Sequence, residues 1–184
     1  DAFVVDVEAD ISLGLPVFQM VGLAEASVRE SKERVRAAVN NSGYSFPMDR
    51  VVVNLAPADV QKGGSGLDLP VAVAILAASG LIPADATRAY LLSGELSLDG
   101  RIKPVRGVLP LALTAREKGF KGLLVPEENA DEAALVDRLD VLPVTCLSQV
   151  VDFFAGHAAI APWTRDAAGM QKVFSPGAGK DMSD

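Results

Sequence analysis

Three stretches hold residue types that could do chemistry. The first, Lys62-Gly63-Gly64-Ser65-Gly66, places an amine, a hydroxyl and three glycines between a β-branched run and an apolar run. Backbone amides of such a loop at a helix N-terminus can cradle an anion. Read structurally, the same loop is a tight connection that needs unusual backbone angles. It is not a P-loop, because no Gly-Lys-Ser/Thr stands at the required spacing, and no ATP site is visible in the chain. Ser65 could act as a nucleophile only beside a base. The single histidine, His157, lies in an aperiodic stretch and reads as a solvated linker residue, which leaves a Ser–Lys pairing as the other route. Loop serines mostly make turns or caps.

The second stretch surrounds Asp99-Gly100, a strong tight-turn dipeptide. Arg101, Lys103 and Arg106 cluster behind it and could contact phosphates. Their bland reading is a charged strand edge that blocks sheet-to-sheet pairing. The third is acidic, residues 127–140, and reads as a solvated helix face with no carboxylate pair set up for acid–base work. Cys146, the one cysteine, reads as a small apolar residue near a strand end. One cysteine and one histidine exclude a Cys/His zinc cluster and any internal disulfide, which fits a cytoplasmic protein.

The elements that must position these residues follow from periodicity. Strands are expected over 2–9, 17–22, 50–56, 90–98, 122–126 and 140–145, and a short return strand follows Asp99-Gly100. Helices are expected over 24–40, with Val28, Val35 and Val39 on one face, and over the almost wholly apolar 67–79. Further helices are expected over 108–118, 127–138 and 148–154, the last capped by Ser148. The order is that of a mixed α/β fold with helices covering a sheet. Periodicity stops after Gly156, so 1–156 reads as the domain and 157–184 as linker or disordered tail. The abrupt start inside a strand reads as trimmed from a longer protein. With 184 residues, 49% apolar and 22% charged, the chain can bury a sizeable core. Its net charge of −7 excludes a uniformly basic nucleic-acid coat but not a local basic patch. No apolar run approaches the ~18 residues of a membrane span.

Residues 21–80, from VGLAEASVRESKERV to LAPADVQKGGSGLDLPVAVAILAASG, closely resemble the N-terminal region of bacterial magnesium-chelatase-like AAA+ ATPases, the YifB/ComM competence family. GELSLDGRIKPVRGVLPLALTAREKG (94–119) and VPEENADEAALV (125–136) extend the likeness over about 1–156. That region is similar in turn to the proteolytic domain of Lon, with a ribosomal-protein-domain-2-like fold. The resemblance implies a mixed-sheet α/β domain of Lon type. Anchoring on the hairpin segment puts Leu109 where Lon carries its catalytic lysine, and anchoring the loop on Gly64 puts Gly66 at its serine. Neither residue can supply a nucleophile or a base. A slip of one position restores Ser65 but brings no lysine, since Pro110 follows Leu109.

What the resemblance implies is a non-catalytic domain of a hexameric ATPase acting in DNA branch migration. It would serve ring assembly and could guide DNA through Lys62, Arg101, Lys103 and Arg106. ATP and magnesium are expected for the full-length protein, and no cofactor for this fragment. The rival expectations are an active Ser–Lys peptidase using Ser65 and a protein-interaction factor of a chelatase-like ATPase.

Overall fold

The computed structural model describes residues 2–164. The run RVVVNLA forms β3 (Arg50–Ala56), whose alternation buries Val51, Val53 and Leu55. It is the middle strand of a sheet ordered β1-β3-β2, antiparallel to β1 (Asp6–Ser12) and parallel to β2 (Val17–Val21). All seven residues of β3 pair with β1, from Ser12↔Arg50 to Asp6↔Ala56. β1 therefore begins at Asp6, where β3 offers a partner, and the strand expected over 2–9 shifts accordingly.

The helix expected over 24–40 divides into α1 (Ala26–Arg29) and α2 (Ser31–Asn41), broken at Glu30. Arg34 Nη2 donates across the break to Ser27 O at 3.4 Å. The apolar helix α3 (Asp68–Ala78) is buried on most sides, and Pro70 sits in its first turn, where a missing N–H costs nothing.

The second half holds a parallel sheet ordered β4-β7-β8. Its strands are β4 (Tyr90–Leu92), β7 (Gly122–Pro126) and β8 (Asp140–Val144). The strand expected over 90–98 breaks at Ser93-Gly94. Ser93 N still donates to Leu124 O at 3.0 Å, but Gly94 N turns to Gly66 O at 3.0 Å and Gly94 O accepts from Leu69 N at 3.0 Å. The chain thus leaves the parallel sheet, touches the glycine loop, and enters a hairpin of β5 (Glu95–Leu96) and β6 (Ile102–Lys103). Gly100 turns that hairpin at φ +93°, with its N–H donating to Ser97 O at 3.0 Å. Helix α4 (Val108–Glu117) follows.

Two other helical expectations change. Residues 127–138 give a 3₁₀ turn (Glu127–Asn129) and the single-turn α5 (Ala130–Ala133), because the Leu135 and Val136 amides bond three residues back on the way to Arg138 at φ +62°. α6 (Leu147–Phe154) is not capped by Ser148. Gln149 Oε1 instead accepts from Thr145 N at 2.8 Å, so the third residue of the helix reaches back over its start.

β7 joins the two halves. Leu124 belongs to the main apolar cluster with β3, α2, α3 and α6, while Leu123 and Val125 belong to a second cluster under α4 and α5. The packed region continues past Gly156. Ile160 lies against the main cluster, and Trp163 donates from its backbone N to Val141 O at 2.7 Å and from Nε1 to Asp131 Oδ1 at 2.9 Å. Residues 157–164 of the tail expected over 157–184 thus belong to the packed region, and 165–184 lie outside the described residues. Among the described residues no helix is long and apolar enough to cross a membrane.

Candidate functional site

The glycine loop is fastened to the segment before α1. Lys62 N donates to Leu23 O at 3.0 Å and Glu25 N to Lys62 O at 2.9 Å, a short parallel bridge. The Lys62 side chain is 2% exposed, and its ammonium donates to Gly22 O at 2.7 Å and to Pro57 O. The expectation that Lys62 contacts phosphate is thereby corrected. Its ammonium is engaged by two backbone carbonyls within the fold. Gly64 N donates to Ser27 Oγ at 3.0 Å, and Ser65 O accepts from Asp68 N at 3.1 Å. The Lys62 amine and the Gly64 amide are thus both engaged within the fold. The described residues do not bring three His, Cys, Asp or Glu together as a metal would require.

Downstream of the loop lies the one charge network that sequence reasoning missed. Asp68, buried at the start of α3, accepts from Arg34 Nε at 2.7 Å, Arg34 Nη2 at 3.0 Å and Leu96 N at 3.0 Å. Burial pushes the Asp68 carboxyl above its ordinary value, and the Arg34 and Leu96 hydrogen bonds pull it part of the way back. The Asp68 hydrogen bond in turn raises Arg34, outweighing its own partial burial. The network ties α2, α3 and β5 together. Its signal was a lone carboxylate opening the run DLPVAVAIL, since a buried charge demands a partner.

A cleft of about 1500 Å³ opens between β1, the glycine loop, one face of α3 and the β4–β5 connection. Ser65, Gly66 and Ser93 border it, as do Arg88, Glu95 and Arg106. A Cβ on Gly66 would stand 2.8 Å from Ser93 Oγ, so the position matching the Lon serine has no room for a side chain unless Ser93 moves. Leu109 is half-buried against the second apolar cluster, with its N–H donating to Glu132 Oε2 at 3.3 Å. The cations bordering the cleft are Lys62, whose amine is engaged, and the guanidiniums of Arg88 and Arg106. His157 lies outside this cleft, with Nδ1 3.8 Å from Asp152 Oδ1. Cys146 is half-buried just before α6, where Arg101 bridges to it.

The hairpin cations separate into two sets. Ile102 is buried between Arg101 and Lys103, so alternation puts both cations on the exposed face. Arg101 Nε lies 3.4 Å from Asp99 Oδ2, and Lys103 sits opposite Glu95 in the β5–β6 register. Arg106 is exposed at the cleft, which the other two do not border.

A mixed α/β domain with a glycine loop and a hairpin meeting at one cleft is of the Lon-like class. Residues 7–129 match the family described as subunit ChlI of Mg-chelatase, and the chain belongs to that family. It is 46% identical over 161 residues to an uncharacterised protein of Mycobacterium tuberculosis, covering 88% of this chain and 32% of that one. It is 42% identical over 164 residues to YifB of Escherichia coli, covering 89% and 32%. It is 40% identical over 153 residues to the competence protein ComM of Haemophilus influenzae, covering 83% and 30%. Lon protease 2 of Bacillus subtilis is similar at 29% over 147 residues, 76% of this chain and 26% of that one, in accord with the Lon-like fold. The chain spans about a third of the length of the curated relatives YifB and ComM.

Proposed function

We propose that this chain is a Lon-like, non-peptidolytic module of a magnesium-chelatase-like ATPase that works on DNA. It serves assembly of a hexameric ring and offers phosphates a weak contact. The observation that carries the reading is Gly66, a residue with no side chain to supply a nucleophile, standing beside the cleft at the position that matches the Lon serine. ATP and magnesium act in the full-length, cytoplasmic protein through residues outside this chain. The kinship with a competence protein supports action on transforming DNA through branch migration. Arg101 and Lys103 on one exposed face, with Arg106 beyond them, supply the phosphate contact. A net charge of −7 keeps any single copy's affinity low, so useful binding needs several copies around a ring.

Two measurements test this. The chain should not cleave an unstructured peptide, and turnover that disappears in Ser65→Ala would establish the peptidase instead. In the full-length ring, Arg101→Ala/Lys103→Ala/Arg106→Ala should fold normally, because exposed charges contribute about 0–1 kcal/mol. The same variant should bind branched DNA more weakly, with a salt slope smaller by about one for each phosphate no longer neutralised. An unchanged slope would restrict the module to assembly.

A further inference from the structure

The outer edge of β1 is the most conspicuous unfilled element of the fold. Among the described residues β1 pairs only with β3, so its other side presents a row of unpaired backbone groups. That side opens into the cleft. The consecutive residues Asp6, Val7, Glu8 and Ala9 all border it, so the wall is the strand's edge and not one of its faces. Its floor is one face of α3, where Pro70, Val73, Ala74 and Ala77 recur at helical spacing. Val7, Ala9 and Ile11 pack against the main cluster yet remain half-exposed, as core-facing residues do when a neighbouring strand is missing.

Charge identifies what would fit. Asp6, Glu8 and Asp10 alternate on the exposed face, and none is in an ion pair among the described residues. Their cross-strand neighbours on β3 are Ala56, Asn54 and Val52, which bring no cation. A second copy of β1 laid antiparallel along this edge would set carboxylates against carboxylates, which is unfavourable. A strand alternating apolar residues with Lys or Arg meets both requirements. Its apolar side covers α3 and completes the core, and its basic side faces the three acids.

We infer that β1 accepts an added strand of alternating apolar and basic residues along this edge, contributed by a segment of the same polypeptide outside these 184 residues. This rests on the reading of the chain as one module of a longer protein. The source follows from the relatives, of which the chain covers about a third.

The probes are two soluble dodecapeptides, one alternating Lys with Val and one alternating Glu with Val, read by fluorescence anisotropy and by amide exchange of residues 6–12. The Lys/Val peptide should bind the 184-residue chain at least tenfold tighter and slow exchange in β1 at least tenfold. Asp6→Lys/Glu8→Lys/Asp10→Lys should reverse the preference, and Asp6→Asn/Glu8→Gln/Asp10→Asn should erase it. If neither peptide slows β1 exchange, or both bind equally well, the strand site is overturned. In the full-length protein β1 should already exchange slowly and take no peptide. If it exchanges as fast as in the short chain and still takes the Lys/Val peptide, the strand comes from another protein and the assigned source is overturned. Peptide turnover and DNA binding, which test the module itself, are unaffected by either result.

Discussion

Asp68 shows how one residue can hold three elements at a cost. Its carboxylate is buried and satisfied by Arg34 and the Leu96 amide. Arg34→Ala leaves that charge without its cation and should cost about 3–5 kcal/mol, read as a fall in the urea midpoint. The paired replacement Arg34→Met/Asp68→Leu should cost less than either single change, because apolar groups of similar volume leave no orphaned charge. The pH dependence has a definite sign. Burial raises the Asp68 carboxyl above its ordinary 3.8, so between that value and the raised one the folded chain binds more protons than the unfolded chain. The Asp68 contribution therefore favours folding most below pH 3.8 and is lost as pH rises through the raised value. In Asp68→Asn that part of the stability–pH curve should flatten; an unaltered curve would show that other carboxylates set it. Gly66 makes the steric counterpart. Gly66→Ser must turn the Ser93 hydroxyl aside and should destabilise by about 1 kcal/mol, and Ser93→Gly should recover most of the loss.

At the scale of elements, the glycine loop behaves as a fastened strap. Lys62→Met keeps the aliphatic stem but orphans the carbonyls of Gly22 and Pro57, at about 1–3 kcal/mol for each buried group left unsatisfied. Amide exchange should quicken over residues 22–25 and 62–66 first, while β7 remains protected. The elements whose own pattern sufficed were legible in the sequence. RVVVNLA alternates, GLLVP is a short apolar run between a helix stop and an acidic stretch, and Asp99-Gly100 names its turn. Elements decided by partners were not. β1 starts opposite the last residue of β3, the 90–98 strand breaks because Gly94 is drawn to Gly66, and α5 is cut short by three-residue bonding. At the site, Gly66 was legible through likeness to Lon. The fate of Lys62 was not, because nothing in KGGSG tells an ammonium facing solvent from one turned onto carbonyls 5 and 40 residues away.

Among the described residues, β7 links the two apolar clusters, and residues after α6 pack over both of them. Composition after Gly156 gives no sign of this, because a lone Ile and a lone Trp make no period. Their effect comes from where they land. Ile160 covers the main cluster, while Trp163 lies on the second cluster and satisfies Val141 O on the outer strand β8. Trp163 thereby shields an exposed sheet edge as well as burying apolar surface. A half-buried indole and its two hydrogen bonds should contribute about 1–3 kcal/mol. Trp163→Ala and a chain ending at Gly156 should each lower the urea midpoint by a corresponding amount, followed by far-UV circular dichroism. Trp163 is the only tryptophan, so its emission reports the closure directly. The segment after Gly156 is held by a small set of contacts through Ile160 and Trp163, whereas the core must unfold as a unit. Emission should therefore shift to the red at lower urea than the loss of ellipticity. Coincident transitions would make the segment after Gly156 part of the cooperative core, and an unshifted midpoint in both variants would show that the domain is complete at Gly156.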